Sequence, residues 1–261
     1  INEMRAIYEM SCNNDIKIIL FIFGRDLHIL PILFSKILRK KVILRSDGRP
    51  TYIISRYLGE KHLLKFFLFR IIEEIDYRLS DCVLAECEFA VIDNNFGKYK
   101  KAFSTNLYVD TKKFFSTQCI DKRQFDIGYI GRFHEEKGIL NILKSIKSII
   151  THYPDIKIFI AGEGDLLYEI TKQIEHDNIQ NNVYLHQWIS HTDLPKFLNQ
   201  VKIILNPSIK EGLPNIILEA MACKTIVLAT SVGAIPSIIK DGETGFIMED
   251  NSPECIAQNV I

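Results

Sequence analysis

From residue 125 onward, short apolar runs alternate with stretches in which apolar residues recur every three or four positions. Residues 125–130, 156–161, 183–185, 201–205, 225–229 and 245–248 are brief and rich in Ile, Val, Leu and Phe, the pattern of buried strands. Between them, 139–153, 165–177, 192–199, 214–223 and 235–240 carry helical spacing. Strand and helix exchanging at such short intervals predict a parallel sheet covered on both faces. Ahead of 125 the alternation is looser. Strands are expected at 16–23, 41–45 and 81–85 and helices at 27–38 and 60–79, with a turn at Ser46-Asp47-Gly48-Arg49-Pro50. The stretch 98–117 is polar and shows no period, which makes it the expected linker between domains at 1–118 and 119–261. The chain opens on Ile1 and stops at Ile261 inside an expected helix, so it reads as an internal fragment.

Composition narrows the class. With 261 residues, 47% hydrophobic and 25% charged, the chain can build a substantial core and is not disordered. Basic and acidic side chains balance at 32 each, so nucleic acid is not an expected partner. The balance hides an asymmetry: residues 1–120 hold 19 basic and 14 acidic side chains, and 36–70 alone holds ten basic against Asp47 and Glu60. Within it, the basic, aromatic stretch 61–72 (Lys61, His62, Lys65, Phe66, Phe67, Phe69, Arg70) suits peripheral contact with an anionic membrane. No run reaches the 18 or so apolar residues of a spanning helix. The six cysteines, Cys12, Cys82, Cys87, Cys119, Cys223 and Cys255, have neither C-x-x-C nor zinc-ligand spacing, and reduced thiols in a cytoplasmic setting are expected.

Ligands of parallel sheets sit beyond the carboxyl ends of the strands, so the loops there come next. After the strand at 125–130 runs Gly131-Arg132-Phe133-His134-Glu135-Glu136-Lys137-Gly138, with two cations flanking a turn that opens a helix. Charge and free backbone N–H groups together suit a diphosphate there. After the strand at 201–205 runs Asn206-Pro207-Ser208-Ile209-Lys210-Glu211-Gly212-Leu213-Pro214-Asn215. Pro214 fits the first helical position, and Gly212 and Leu213 offer N–H groups ahead of it. The E-x7-E spacing of Glu211 and Glu219 puts one carboxylate at the helix mouth and one further along it. Carboxylates beside a phosphate site suit the hydroxyls of a sugar and a ribose. The turn Gly162-Glu163-Gly164 is not a dinucleotide fingerprint, since Leu167 stands where its third glycine belongs, and this argues against a dehydrogenase.

The strings GRFHEEKG, IAGEG, NPSIKEGLPNIILEAMAC and GAIPSIIKDGETGF, in that order, resemble the donor domain of group 1 (family 4) retaining glycosyltransferases over about 125–261. The segment Asn106-Leu107-Tyr108-Val109-Asp110 with Phe114 resembles the family's domain junction, and 16–90 the later part of its acceptor domain. The resemblance implies an α/β, GT-B-like fold. Two Rossmann-like domains with parallel sheets flanked by helices would face across a cleft, the N-terminal one incomplete. It implies a metal-independent hexosyltransferase, needing no cofactor, that moves a sugar with retention from a nucleotide diphosphate sugar to a hydroxyl of a glycan or lipid-linked acceptor. Surface polysaccharide or glycolipid synthesis, at or near the inner membrane face, would be its setting.

Carried over by position, Arg132 and Lys137 would hold the donor diphosphate, with Glu211 beside the transferred sugar; these three are the catalytic candidates. Glu219 would accept the ribose hydroxyls. The backbone of Gly212, Leu213 and Pro214, with Asn215, Gly131 and Gly162, would line the donor, and Trp188 and Ile189 after Gln187 would border the base. Asp47 stands where the family often has histidine, Gln187 where glycine is frequent, Lys224 and Ile226 at a usual glycine and proline, and Ser237 at a usual glutamate. These departures bear on donor-sugar selectivity. The alternatives are a nucleotide-sugar epimerase or hydrolase on the same fold, or a non-catalytic nucleotide-sugar binding module.

Overall fold

The computed structural model describes residues 2–11, 15–23, 28–46, 63–99, 101–105 and 108–261. Asp47, the rest of the expected turn after it, and Lys61 and His62 lie outside the described residues. The chain divides into two compact units, Ile1–Leu107 and Tyr108–Ile261.

The first unit is α1 (Asn2–Ser11), β1 (Ile18–Phe23), α2 (Ile29–Ile37), β2 (Lys41–Ser46), α3 (Leu63–Leu79), β3 (Cys82–Ala85), α4 (Glu88–Asp93) and β4 (Ala102–Ser104). Among the described residues its four strands pair in parallel in chain order, β1-β2-β3-β4. Alternation sets the faces: Val42, Leu44 and Ser46 of β2 are buried and Lys41 is exposed. Asp76 of α3 accepts the His28 N–H at 3.0 Å, tying α3 to the start of α2. Burial pushes the Asp76 carboxyl above its ordinary range, against the pull of His28. Strand β4 lies inside the stretch expected to be linker; it is three residues long with Phe103 exposed, too short to show a period.

The second unit holds β5 (Phe125–Ile130), α5 (Ile139–His152), β6 (Ile158–Ala161), α6 (Leu167–His176), β7 (Val183–His186), α7 (Leu194–Leu198), β8 (Val201–Asn206), α8 (Asn215–Ala222), β9 (Ile226–Thr230), β10 (Phe246–Met248) and α9 (Pro253–Val260). The helix expected at 235–240 is a single 3-10 turn, Ile235–Ser237, with Pro236 at its start. The six strands are all parallel, in the order β10-β9-β8-β5-β6-β7. That is the doubly wound arrangement in which the order reverses between β5 and β8.

Successive residues of each strand face opposite layers, so one sheet feeds two cores. Ile158 and Ile160 of β6 join Ile142, Leu143, Ile146 and Ile149 of α5 and Ile170 of α6. Phe159 and Ala161 of the same strand join Leu194, Leu198, Ile217 and Ala220 of α7 and α8. On α5 the buried positions 139, 142, 143, 146 and 149 form one stripe at helical spacing. Each such side chain contributes about 1.5–3 kcal/mol on burial.

The second unit begins with residues that composition assigned to the first domain. Phe114 is buried in the core beneath α7 and α8. Asn199 at the end of α7 accepts the Thr117 N–H at 2.7 Å and donates to Phe115 O at 2.9 Å. Polar residues there signalled a linker, but one aromatic anchor and one amide fasten the segment down.

Candidate functional site

The loops leaving β5 and β8 meet at the point where the strand order reverses. The first is 131–138 and contains a 3-10 turn at Glu135–Lys137; the second is 207–214 and leads into α8. They are joined by backbone, since Ile209 N–H donates to Glu136 O at 2.8 Å. Gly138, at φ 71°, makes the approach feasible: a Cβ there would lie 2.2 Å from the Pro207 carbonyl oxygen.

Side chains complete the junction. Lys137 Nζ lies 2.7 Å from Glu211 Oε1, and the two side chains are only 18% and 10% exposed. Ser208 Oγ donates to the same oxygen at 2.6 Å, and Thr230 Oγ1 fixes the Ser208 carbonyl at 2.6 Å. A carboxylate held by an ammonium and a hydroxyl in a site this dry has a defined position. Beneath it Tyr129 donates its hydroxyl to Arg132 O at 2.7 Å. Burial, and then the Glu211 charge, push the Tyr129 phenol well above its ordinary value, with Arg132 opposing, so it stays a donor.

Arg132 is more than half exposed, with Glu136 Oε1 at 3.4 Å. The third loop, after β6, packs behind the first. Gly131 N–H donates to Ala161 O at 3.0 Å, Phe133 N–H donates to Glu163 O at 2.7 Å, and a Cβ on Gly162 would collide with the Gly131 carbonyl oxygen at 1.9 Å. The absence of a side chain at Gly162 thus lets the two loops approach this closely.

Helix α8 opens at Asn215, one residue later than expected, with Pro214 as its extended N-cap rather than its first helical residue. Gly212 O takes the Ala234 N–H at 2.9 Å, which pins the loop from the β9 side. Among the described residues, no hydrogen bond engages the N–H groups of Gly212, Leu213, Asn215 or Ile216. Four unspent donors around a helix N-terminus, in the loop whose Glu211 pairs with Lys137, suit an anion.

Glu219 sits one turn further on, its side chain 11% exposed, with Oε1 3.0 Å from His191 Nε2. Trp188 is 56% exposed, whereas Ile189 is buried at 7% in the core with Phe114 and Leu194, so Ile189 can offer a ligand only its backbone. The expected residues therefore fall into one group at the β5–β8 mouth (Gly131, Arg132, Lys137, Glu211 and 212–215), with Gly162 behind it and Glu219 along the helix. Ser208, Thr230, His191 and Lys113 were not singled out from the sequence. Ser208 shares a loop with Glu211 and could have been weighed; His191 and Lys113 carry no local signal. Among the described residues no group of three or more His, Cys, Asp and Glu side chains converges as a metal site would require.

The Glycosyl transferases group 1 family matches residues 110–261, the span that carries this site. The chain belongs to that family. A curated relative, the capsular polysaccharide biosynthesis glycosyltransferase CapM of Staphylococcus aureus, is 28% identical over 213 residues, 75% of this chain and 55% of CapM. The chain spans about half the length of the curated relatives it matches. Among solved structures, HepE of Anabaena in complex with UDP-glucose superposes with a TM-score of 0.79 at 14% identity, covering 99% of this chain and 71% of that one. Sucrose-phosphate synthase from Thermosynechococcus elongatus gives 0.73 at 16% identity, covering 98% and 66%. These likenesses establish the fold: two Rossmann-like units of the GT-B class. Among the described residues no helix is long and apolar enough to cross a membrane.

Proposed function

We propose that this group 1 family chain is part of a retaining, metal-independent hexosyltransferase that takes its sugar from a nucleotide diphosphate sugar and passes it to a hydroxyl of a glycan or lipid-linked acceptor. The observation that carries the reading is the meeting of Lys137, Glu211 and the unspent N–H groups before α8 at the switch point between β5 and β8. In the reaction the bond from the anomeric carbon to the β-phosphate oxygen breaks and a bond to the acceptor oxygen forms. The acceptor's proton leaves with the nucleoside diphosphate. Negative charge grows on the departing phosphate, and in this reading Lys137, Arg132 and the mouth of α8 stabilise it. Glu219 takes the ribose hydroxyls, and exposed Trp188 lies by the base. The CapM relationship supports surface polysaccharide as the product class.

Thermal unfolding in the presence of UDP, GDP, ADP and CMP tests the donor site. At a hundred times its Kd a ligand of the native state adds about 2.7 kcal/mol, which moves the midpoint by several degrees. We expect one nucleoside diphosphate to do this and CMP not to, with the shift largely lost in Glu219→Ala. HepE's complex with UDP-glucose supports UDP as the first to try. Equal shifts in wild type and Glu219→Ala would remove Glu219 from the site.

A lipid-linked acceptor draws support from the first unit. Phe67, Leu68, Ile71 and Ile75 of α3 are 60%, 52%, 54% and 39% exposed and share one helix face beside Arg70. Basic side chains near an anionic surface add about 1 kcal/mol each. The chain should sediment with phosphatidylglycerol vesicles and not with phosphatidylcholine vesicles, and a Phe67→Asp, Ile71→Asp variant should remain in the supernatant. Equal sedimentation of that variant would make the face an ordinary packing surface.

A further inference from the structure

His191 lies in the turn ahead of α7, and local hydrogen bonds fix where it can be. Ser190 Oγ donates to Asp193 Oδ2 at 2.6 Å and accepts the Asp193 N–H at 3.2 Å, while Leu194 N–H donates to Ser190 O at 3.0 Å. The imidazole packs 5.3 Å from the buried Phe114 ring. Its two nitrogens face opposite charges. Lys113 Nζ lies 2.8 Å from Nδ1, and Glu219 Oε1 lies 3.0 Å from Nε2.

An ammonium can only donate, so Nδ1 must be the acceptor and the ring proton must sit on Nε2, where it is donated to Glu219. Hydrogen-bond partners alone therefore assign the tautomer. The result is a directed chain, Lys113 to His191 to Glu219, in which the ammonium polarises the ring and strengthens its bond to the carboxylate. Among the described residues no hydrogen bond is made to the other Glu219 oxygen. A carboxylate has about four lone-pair sites, so with one taken by His191 it can still accept from two hydroxyls. The arrangement resembles the way a second group fixes a ligating side chain in metal sites: the primary residue is rotated into place before its ligand arrives.

We propose that His191 is a positioning residue for Glu219, orienting its carboxylate toward the vicinal ribose hydroxyls of the donor nucleotide, with Lys113 fixing the tautomer that makes this work. The proposal rests on the donor-site reading of Glu219. It goes beyond that reading in assigning ribose selectivity to two residues outside the E-x7-E helix and its loop.

The test is calorimetric titration of the 261-residue chain with UDP, GDP and ADP, each beside its 2′,3′-dideoxy counterpart. Wild type should prefer a ribonucleotide, and Glu219→Gln should erase the preference. His191→Ala should weaken the ribonucleotide about tenfold while the dideoxy form changes less than about twofold. His191→Gln, whose amide can place an N–H near the Nε2 position, should recover most of the loss, and Lys113→Met should lie between. Circular dichroism confirms folding of each variant; His191 is exposed enough that its own substitutions should not unfold the chain. If wild type binds no nucleotide or does not distinguish the dideoxy forms, the donor-site reading fails and takes this proposal with it. If wild type and Glu219→Gln behave as expected but His191→Ala keeps the wild-type preference, or weakens both forms equally, the positioning role alone is overturned.

Discussion

Replacing Arg123 with alanine is expected to cost the second unit about 2–4 kcal/mol, enough to unfold much of a marginally stable domain. Arg123 is 4% exposed and, among the described residues, has no carboxylate partner. Its guanidinium instead donates to Leu198 O at 3.3 Å, Val201 O at 2.8 Å, Thr225 Oγ1 at 2.6 Å and Cys223 O at 2.7 Å. Leu198 ends α7 and Cys223 caps α8, so one cation serves the carbonyl ends of two helices and the first residue of β8. Bonds from a charged donor are worth about 1.5–3 kcal/mol each, and recovered desolvation of the buried cation returns several kcal/mol, which leaves the net loss stated. Burial pulls the guanidinium below its ordinary pKa, so that cost is real. Urea denaturation checks the expectation through the midpoint. Arg123→Lys should recover only part of the loss, because one nitrogen cannot reach acceptors spread over two helix ends and a strand. An unchanged midpoint in Arg123→Met would mean that the stem alone matters.

Arg123 also marks where sequence reading stops. Nothing in its neighbourhood distinguishes it from Lys122, yet one is a core residue and the other is exposed; the difference is made by Leu198, Val201 and Cys223, at least 75 residues away. What was legible is local. The strands of the second unit were legible because each is a compact apolar run. The two loops that meet at the switch point were legible as candidates because glycines, cations and carboxylates crowd into 131–138 and 206–215. The 3.6-residue stripe of α5 announces its buried face. Pairings between loops were not: Lys137 and Glu211 are 74 residues apart, and Lys113 and His191 are 78. Trp188-Ile189 read as two apolar residues beside a base, and only packing separates the exposed indole from the buried isoleucine. Helix α1 went unread because, of its side chains from Arg5 to Glu9, only Ile7 is buried, which is too little to set a period. The first unit is harder throughout, since Ile18, Leu20 and Ile22 of β1 are exposed and blur the link between apolar character and burial.

In the proposed transfer, Lys137→Ala is expected to lower turnover by about 10²-fold or more while changing KM only a few-fold, measured as release of nucleoside diphosphate from the sugar nucleotide. The reason is that charge on the departing phosphate exceeds that in the bound donor, so a cation at this point gains most in the transition state. The ion pair adds a second consequence. Glu211 is 10% exposed and its Oε1 is shared by Lys137 and Ser208, so removing the lysine leaves a nearly buried carboxylate with a single hydroxyl. A loss of stability in Lys137→Ala is therefore expected as well, and it would confuse the kinetic result if read alone. The double variant Lys137→Met, Glu211→Gln separates the two effects. It removes both charges together, so it should recover stability relative to Lys137→Ala and yet remain at least as slow. Recovery of turnover along with stability would mean that Lys137 only neutralises Glu211. Lys137→Arg supplies the complementary arm: it keeps the charge but spreads it over a planar fork, and partial turnover is expected because a phosphate accepts either geometry while the Glu211 pocket is shaped for an ammonium.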